Sequence, residues 1–98
     1  MMLRREFDWD PTKARSNLDK HGMPFDYATR VFLDPSLVEL DTSRPTDRER
    51  RMKAIGAVEG RVFSVVYTMR GNTCRIISAR RCNAKEERAY GPVHPGST

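Results

Sequence analysis

Cysteine is scarce: Cys74 and Cys82 are the only two in 98 residues. Two thiols make no disulfide framework, and neither belongs to a CxxC pair, so a cysteine-rich zinc fold is excluded and a reducing compartment is expected. Histidine is equally rare, with only His21 and His94, and the carboxylates are scattered without ligand spacing, so no metal motif is present. No apolar run approaches the roughly 20 residues of a membrane-spanning helix. Residues 1–10 are charged and lack the apolar centre of a signal peptide. There is no GxSxG serine elbow, and Gly60 and Gly71 are isolated turn glycines, not a phosphate-cradling loop. These absences argue against secretion, membrane insertion and nucleotide-dependent catalysis. They predict a cytoplasmic protein that uses no metal and no cofactor.

What the chain does have is arginine, unevenly placed. Residues 61–90 hold seven basic side chains against two acidic ones, whereas residues 1–60 balance 11 against 11, so the whole net charge of +5 lies late. Arginine outnumbers lysine 14 to 4. A guanidinium is a planar fork that matches a phosphate bidentately, which an ammonium does not. The pattern suits a polyanion, above all nucleic acid; the alternative is a charged sheet surface that only blunts edges and maintains solubility.

The length suits one domain, expected over residues 1–92 with a frayed tail at 93–98. Residues 5–9 alternate as a short strand. Asp10-Pro11 starts a helix that runs to about His21, with Ala14 and Leu18 inward and Gly22 as its stop. Phe25, Ala28, Val31 and Phe32 predict a second helix over 25–32, ended by Asp34-Pro35, and a short strand follows over 37–40. The polar stretch 41–50 reads as an exposed loop. Three strands then follow at 51–58, 61–69 and 73–81, joined by Glu59-Gly60 and Arg70-Gly71-Asn72, with the apolar 62–67 suited to a central strand. Strict alternation in the last strand places Arg75, Ile77, Ala79 and Arg81 on one face and Cys74, Ile76, Ser78 and Arg80 on the other. Asn83 with Glu86 three residues on reads as a capping box for a closing helix that reaches Tyr90. Early helices and a late meander give an α+β fold, one antiparallel sheet packed on two N-terminal helices with a short C-terminal helix. The sheet's other face must bind something or be covered.

RNA carries its own nucleophile, the 2′-hydroxyl, so a protein that cleaves it has to align that group, move protons and stabilise charge on phosphorus. Arginines supply the electrostatic part, and histidine, lysine or tyrosine can move the proton. Candidate catalytic residues are Lys20, His21, Arg70 and Arg80, with Arg61, Tyr67 and Arg81 as substrate contacts. Each has a plainer alternative. Arg80 is a phosphate clamp or the partner of a helix carboxylate; Arg70 closes over RNA from a hairpin turn or is simply solvated there. His21 transfers protons or caps its helix, an imidazole titrating near neutrality as a class. Lys20 contacts phosphate or is surface charge, and Tyr67 reaches substrate or sits in the core.

An ordered set of motifs covers residues 5–90: Phe7-Asp8-Trp9-Asp10-Pro11, then Lys13, Asn17 and Lys20-His21-Gly22, then Phe25, Ala28, Val31-Phe32 and Asp34-Pro35. Ala54-Ile55-Gly56, Val65-Val66-Tyr67-Thr68 with Arg70, the run 75–81, and finally Glu87, Arg88 and Tyr90 continue it. This set resembles the BrnT family of toxins from bacterial type II toxin–antitoxin pairs. Met23-Pro24 departs from it, standing where the family usually has a small polar helix cap. The resemblance implies a RelE-like fold, ribonuclease activity that inhibits translation, and neutralisation by a BrnA-type antitoxin. Operator DNA would be bound only through that complex. A non-catalytic module that binds nucleic acid or the antitoxin is the alternative.

Overall fold

The computed structural model describes residues 5–92; the expected tail at 93–98, with His94, lies outside them. Strand β1 (Glu6–Trp9) runs into helix α1 (Pro11–His21). The Asp10 carboxylate accepts the Thr12 N–H at 2.8 Å, Pro11 occupies the first turn, and Gly22 takes the left-handed conformation (φ 67°) that ends the helix. The next segment is not one helix as expected. Helix α2 (Phe25–Ala28) has no side-chain cap at Pro24 and passes into a 3₁₀ turn, Thr29–Leu33. Two β-branched residues, Thr29 and Val31, and the hydroxyl of Thr29 donating back to the Asp26 carbonyl at 2.7 Å favour the tighter turn. Strands β2 (Val38–Asp41), β3 (Met52–Val58), β4 (Arg61–Arg70) and β5 (Thr73–Arg81) follow, and helix α3 (Ala84–Tyr90) closes the described chain. The capping box is present, Asn83 and Glu86 each accepting the other's backbone N–H.

The strand order is β1-β5-β4-β3-β2, so β4 is central, as its apolar run requires. The sheet is mixed, which corrects the expectation of a purely antiparallel one: β2 to β5 form an antiparallel meander, but β1 pairs with β5 in parallel. Hairpin turns force antiparallel neighbours, whereas the connection from β1 to β5 runs through the helices and three intervening strands, long enough to leave either sense open.

One sheet face packs on α1, α2 and the 3₁₀ turn. Ala54, Val65, Tyr67, Ile76 and Ala79 meet Phe25, Ala28 and Val31 there in one buried cluster. Gly56 belongs to this face because a Cβ would lie 2.8 Å from the Val31 side chain and 2.8 Å from its carbonyl oxygen. Leu18, expected inward, is 44% exposed; Asn17 is buried in its place. The alternation expected for β5 also fails midway. Val66 pairs with Ser78 and Tyr67 with Ile76, leaving Ile77 without a partner as a bulge. Cys74, Ile76, Ala79 and Arg81 therefore share the helix-covered side, and Arg75, Ser78 and Arg80 share the opposite face. Helix α3 covers one end of that opposite face, over the buried Ile55 and Ser64.

Candidate active site

Two grooves that abut at one end of the sheet share Arg61 and Arg81. One, of about 570 Å³, is bordered by His21, Tyr27 and Phe63; the other, of about 870 Å³, by Glu87 and Arg88 of α3. Glu59 and Gly60 both adopt positive φ (53° and 80°), the two-residue turn that matches hairpin twist, and so deliver Arg61 to the groove at the start of β4. Arg81 pairs with Phe63, two residues beyond Arg61 on the same side of β4. The two arginines are thus diagonal neighbours, a relation that sets residues roughly 7–8 Å apart. Neither makes an ion pair or side-chain hydrogen bond among the described residues, and both are exposed. Adjacent guanidiniums repel one another unless an anion lies between them, so the pair is poised for one.

His21 reaches this groove because α1 is pinned to β5. The Asn17 carboxamide accepts the Ala79 N–H at 3.0 Å and donates to the Ala79 carbonyl at 2.8 Å, and also to that of Met23 at 3.2 Å. It does for β5 beyond the end of β1 what a neighbouring strand would do. His21 lies one helical turn past Asn17, and Arg81 two residues past Ala79. Replacing Asn17 by Ala removes the side-chain partner of three buried backbone groups at once. Such groups cost about 1–3 kcal/mol each, so N17A is expected to lower the thermal midpoint and to weaken any activity that needs His21 beside Arg81; a melt and an RNA cleavage assay check both.

The remaining expected site residues lie elsewhere. Lys20 is exposed beside His21 but borders neither groove. Tyr67 sits in the core, 3% exposed, where burial and the Glu39 carboxylate that accepts its hydroxyl both push its pKa up. Arg80 shows the ion-pair alternative: its guanidinium bonds Glu86 through both nitrogens at 2.7 and 2.9 Å, and Lys53 donates to the same carboxylate at 2.7 Å. Burial alone would raise the pKa of Glu86, but these bonds outweigh it and hold the group at about 2. Arg70 stands at the far end of β4, gripping Glu49 at 3.0 and 3.2 Å. Sequence reasoning missed Asn17, Tyr27 and Arg88 as parts of this site. An amide on the inward face of α1, three residues past Ala14, was the one available signal, for Asn17.

A family model described as ribonuclease toxin, BrnT, of type II toxin–antitoxin system matches residues 9–86. The chain belongs to the BrnT family. No curated protein matches it. The family is one of ribonuclease toxins, which implies an RNA target and an antitoxin partner. The BrnT match takes in every element from the end of β1 to the Glu86 anchor of α3, and with them His21, Arg61 and Arg81. No described helix is long and apolar enough to cross a membrane.

Proposed function

We propose that this protein is the toxin of a type II pair, a cytoplasmic, RelE-like domain over residues 1–92 that cleaves RNA without a metal and thereby inhibits translation. A BrnA-type antitoxin neutralises it, and operator DNA is reached only through that complex. The observation that carries the reading is the adjacent Arg61 and Arg81, neither ion-paired among the described residues, in an open groove with His21 where the one lining carboxylate, Glu59, is held by Arg30 at 3.0 Å.

In the reaction the ribose 2′-oxygen forms a bond to phosphorus as the bond from phosphorus to the 5′-oxygen breaks. His21 takes the 2′-hydroxyl proton, and solvent water gives a proton to the departing 5′-oxygen. Arg61 and Arg81 stabilise the charge that builds on the non-bridging oxygens, and Lys20 meets the neighbouring phosphate. Arg80 acts at one remove, as a positioning residue that holds α3 through Glu86 and so sets Arg88 at the groove's rim.

Inducible expression in bacteria, with and without the partner antitoxin, tests the reading. Growth is expected to stop with RNA fragmentation and to recover on co-expression. Purified, antitoxin-free protein that leaves RNA intact while still binding it would favour the non-catalytic module.

A further inference from the structure

A second basic cavity, of about 320 Å³, lies on the opposite sheet face at the far end of β4. Lys13, Arg48, Arg51, Arg70 and Arg75 line it, together with the hydroxyl-bearing Thr68. Its construction follows from the bulge at Ile77, which turns Arg75 to this face, and from the loop between β2 and β3. Thr68 holds that loop over the sheet by donating to the Arg50 carbonyl at 2.9 Å. Three of the cations have carboxylates beside them: Arg70 grips Glu49, Arg75 lies 3.2 Å from Asp8, and Arg51 lies 3.8 Å from Asp47. Lys13 and Arg48 have none among the described residues, and both are exposed. Positive charge therefore exceeds negative inside the cavity. Glu49 sits on the Arg70 fork as a carboxylate does where a phosphate also fits, and the pair is about half exposed, 53% and 45%, so little free energy opposes exchange.

Nine residue steps along β4 take Arg61 to Arg70, about 30 Å at strand rise. The two sites open on opposite faces of the sheet, so a bound strand has to pass round its edge and needs more than the roughly ten nucleotides that 30 Å alone would take at 3.4 Å of rise each. We propose that this cavity is a second RNA-backbone site, at which phosphates of a long single strand displace Glu49 from Arg70 while the strand lies in the His21–Arg61–Arg81 groove. The proposal rests on the ribonuclease reading for the identity of the anion. Its consequence is that the protein favours long, unpaired RNA over short oligonucleotides. Two linked contacts raise affinity beyond what either gives alone.

The test uses 2′-O-methyl oligonucleotides, which lack the nucleophile, so binding is read apart from cleavage. The full chain is expected to bind an oligomer of about 15 nucleotides at least tenfold more tightly than one of about five. In a K13A/R48A variant that advantage is expected to shrink several-fold. The slope of log affinity against log salt should fall by about 1.4, at roughly 0.7 per phosphate contact on a single strand. E49Q is expected to move affinity for the longer oligomer the other way, two- to fivefold tighter. Both substitutions lie on the exposed surface, and a thermal melt confirms that folding is retained. Unchanged long-oligomer affinity and salt slope in K13A/R48A would overturn the proposal, as would an equal loss for long and short oligomers. Absence of RNA cleavage by the unmodified protein would instead count against the cleavage reading alone.

Discussion

Arg81→Ala and His21→Ala are each expected to reduce RNA cleavage by about 10²–10³-fold, with far smaller losses in affinity. Removing one donor that stabilises charge developing in the transition state costs about that much in other enzymes, and loss of proton transfer costs about 10²–10⁴-fold. Both side chains are exposed and make no ion pair among the described residues, so the folded state does not depend on them. Arg81→Lys separates two contributions. It keeps the charge but loses the planar fork, and partial recovery of cleavage would show that bidentate geometry adds to charge. Single-turnover cleavage of an RNA oligonucleotide with a parallel binding measurement distinguishes these effects. Parallel losses of affinity and rate would instead describe a binding module, and near-wild-type cleavage by H21A would remove His21 from the mechanism.

Glu86→Gln is expected to be the most destabilising single change considered. The carboxylate is 7% exposed and gathers Lys53, both terminal nitrogens of Arg80, and the Asn83 N–H. A neutral amide leaves two partly buried cations without a counter-charge. Breaking such a cluster costs about 3 kcal/mol or more, which for a domain of this size is roughly 10–20 °C in the melting midpoint. The same cluster dictates a pH dependence. The Glu86 pKa is depressed from its ordinary 4.5 to about 2 in the folded protein. Its contribution is therefore complete above about pH 4.5 and is lost as pH falls towards 2. In E86Q that part of the acid destabilisation is expected to vanish, which denaturant melts between pH 2 and pH 6 would register. The change also loosens α3, because Glu86 is its buried anchor, and so withdraws Arg88 from the groove.

Local chemistry in the sequence determined most of the elements. Asp10-Pro11 and Gly22 bound α1 because a side-chain acceptor, a fixed φ and a left-handed stop act within a few residues. Asn83 and Glu86 start α3 for the same kind of reason, and β-branched runs at 62–67 and 73–81 make the central strands. The motif set 5–90 was likewise readable as BrnT-like, and the family match covers nearly all of it. The position of His21 at the end of α1 and of Arg61 after a Glu-Gly turn followed without coordinates.

Which of those residues meet was decided only by tertiary structure. Pairing depends on partners tens of residues apart. The parallel union of β1 with β5, the Asn17 bridge to Ala79 across 62 positions, and the meeting of His21 with Arg61 and Arg81 leave no local trace. The bulge at Ile77 shows why most clearly. Period-two alternation assumes that every residue of a strand has a partner opposite it, and one unpaired residue reverses the faces of everything beyond. Cys74 and Ile76 thereby enter the core while Arg75 is turned outward to the face it shares with Arg80. Counter-charges behave likewise: seven late basic residues were visible as composition, but only folding assigned Glu86 to Arg80, Glu49 to Arg70 and Asp8 to Arg75. Ion pairing acts through space, over a few ångströms, and that proximity left Arg61 and Arg81 as the adjacent pair with no ion pair among the described residues.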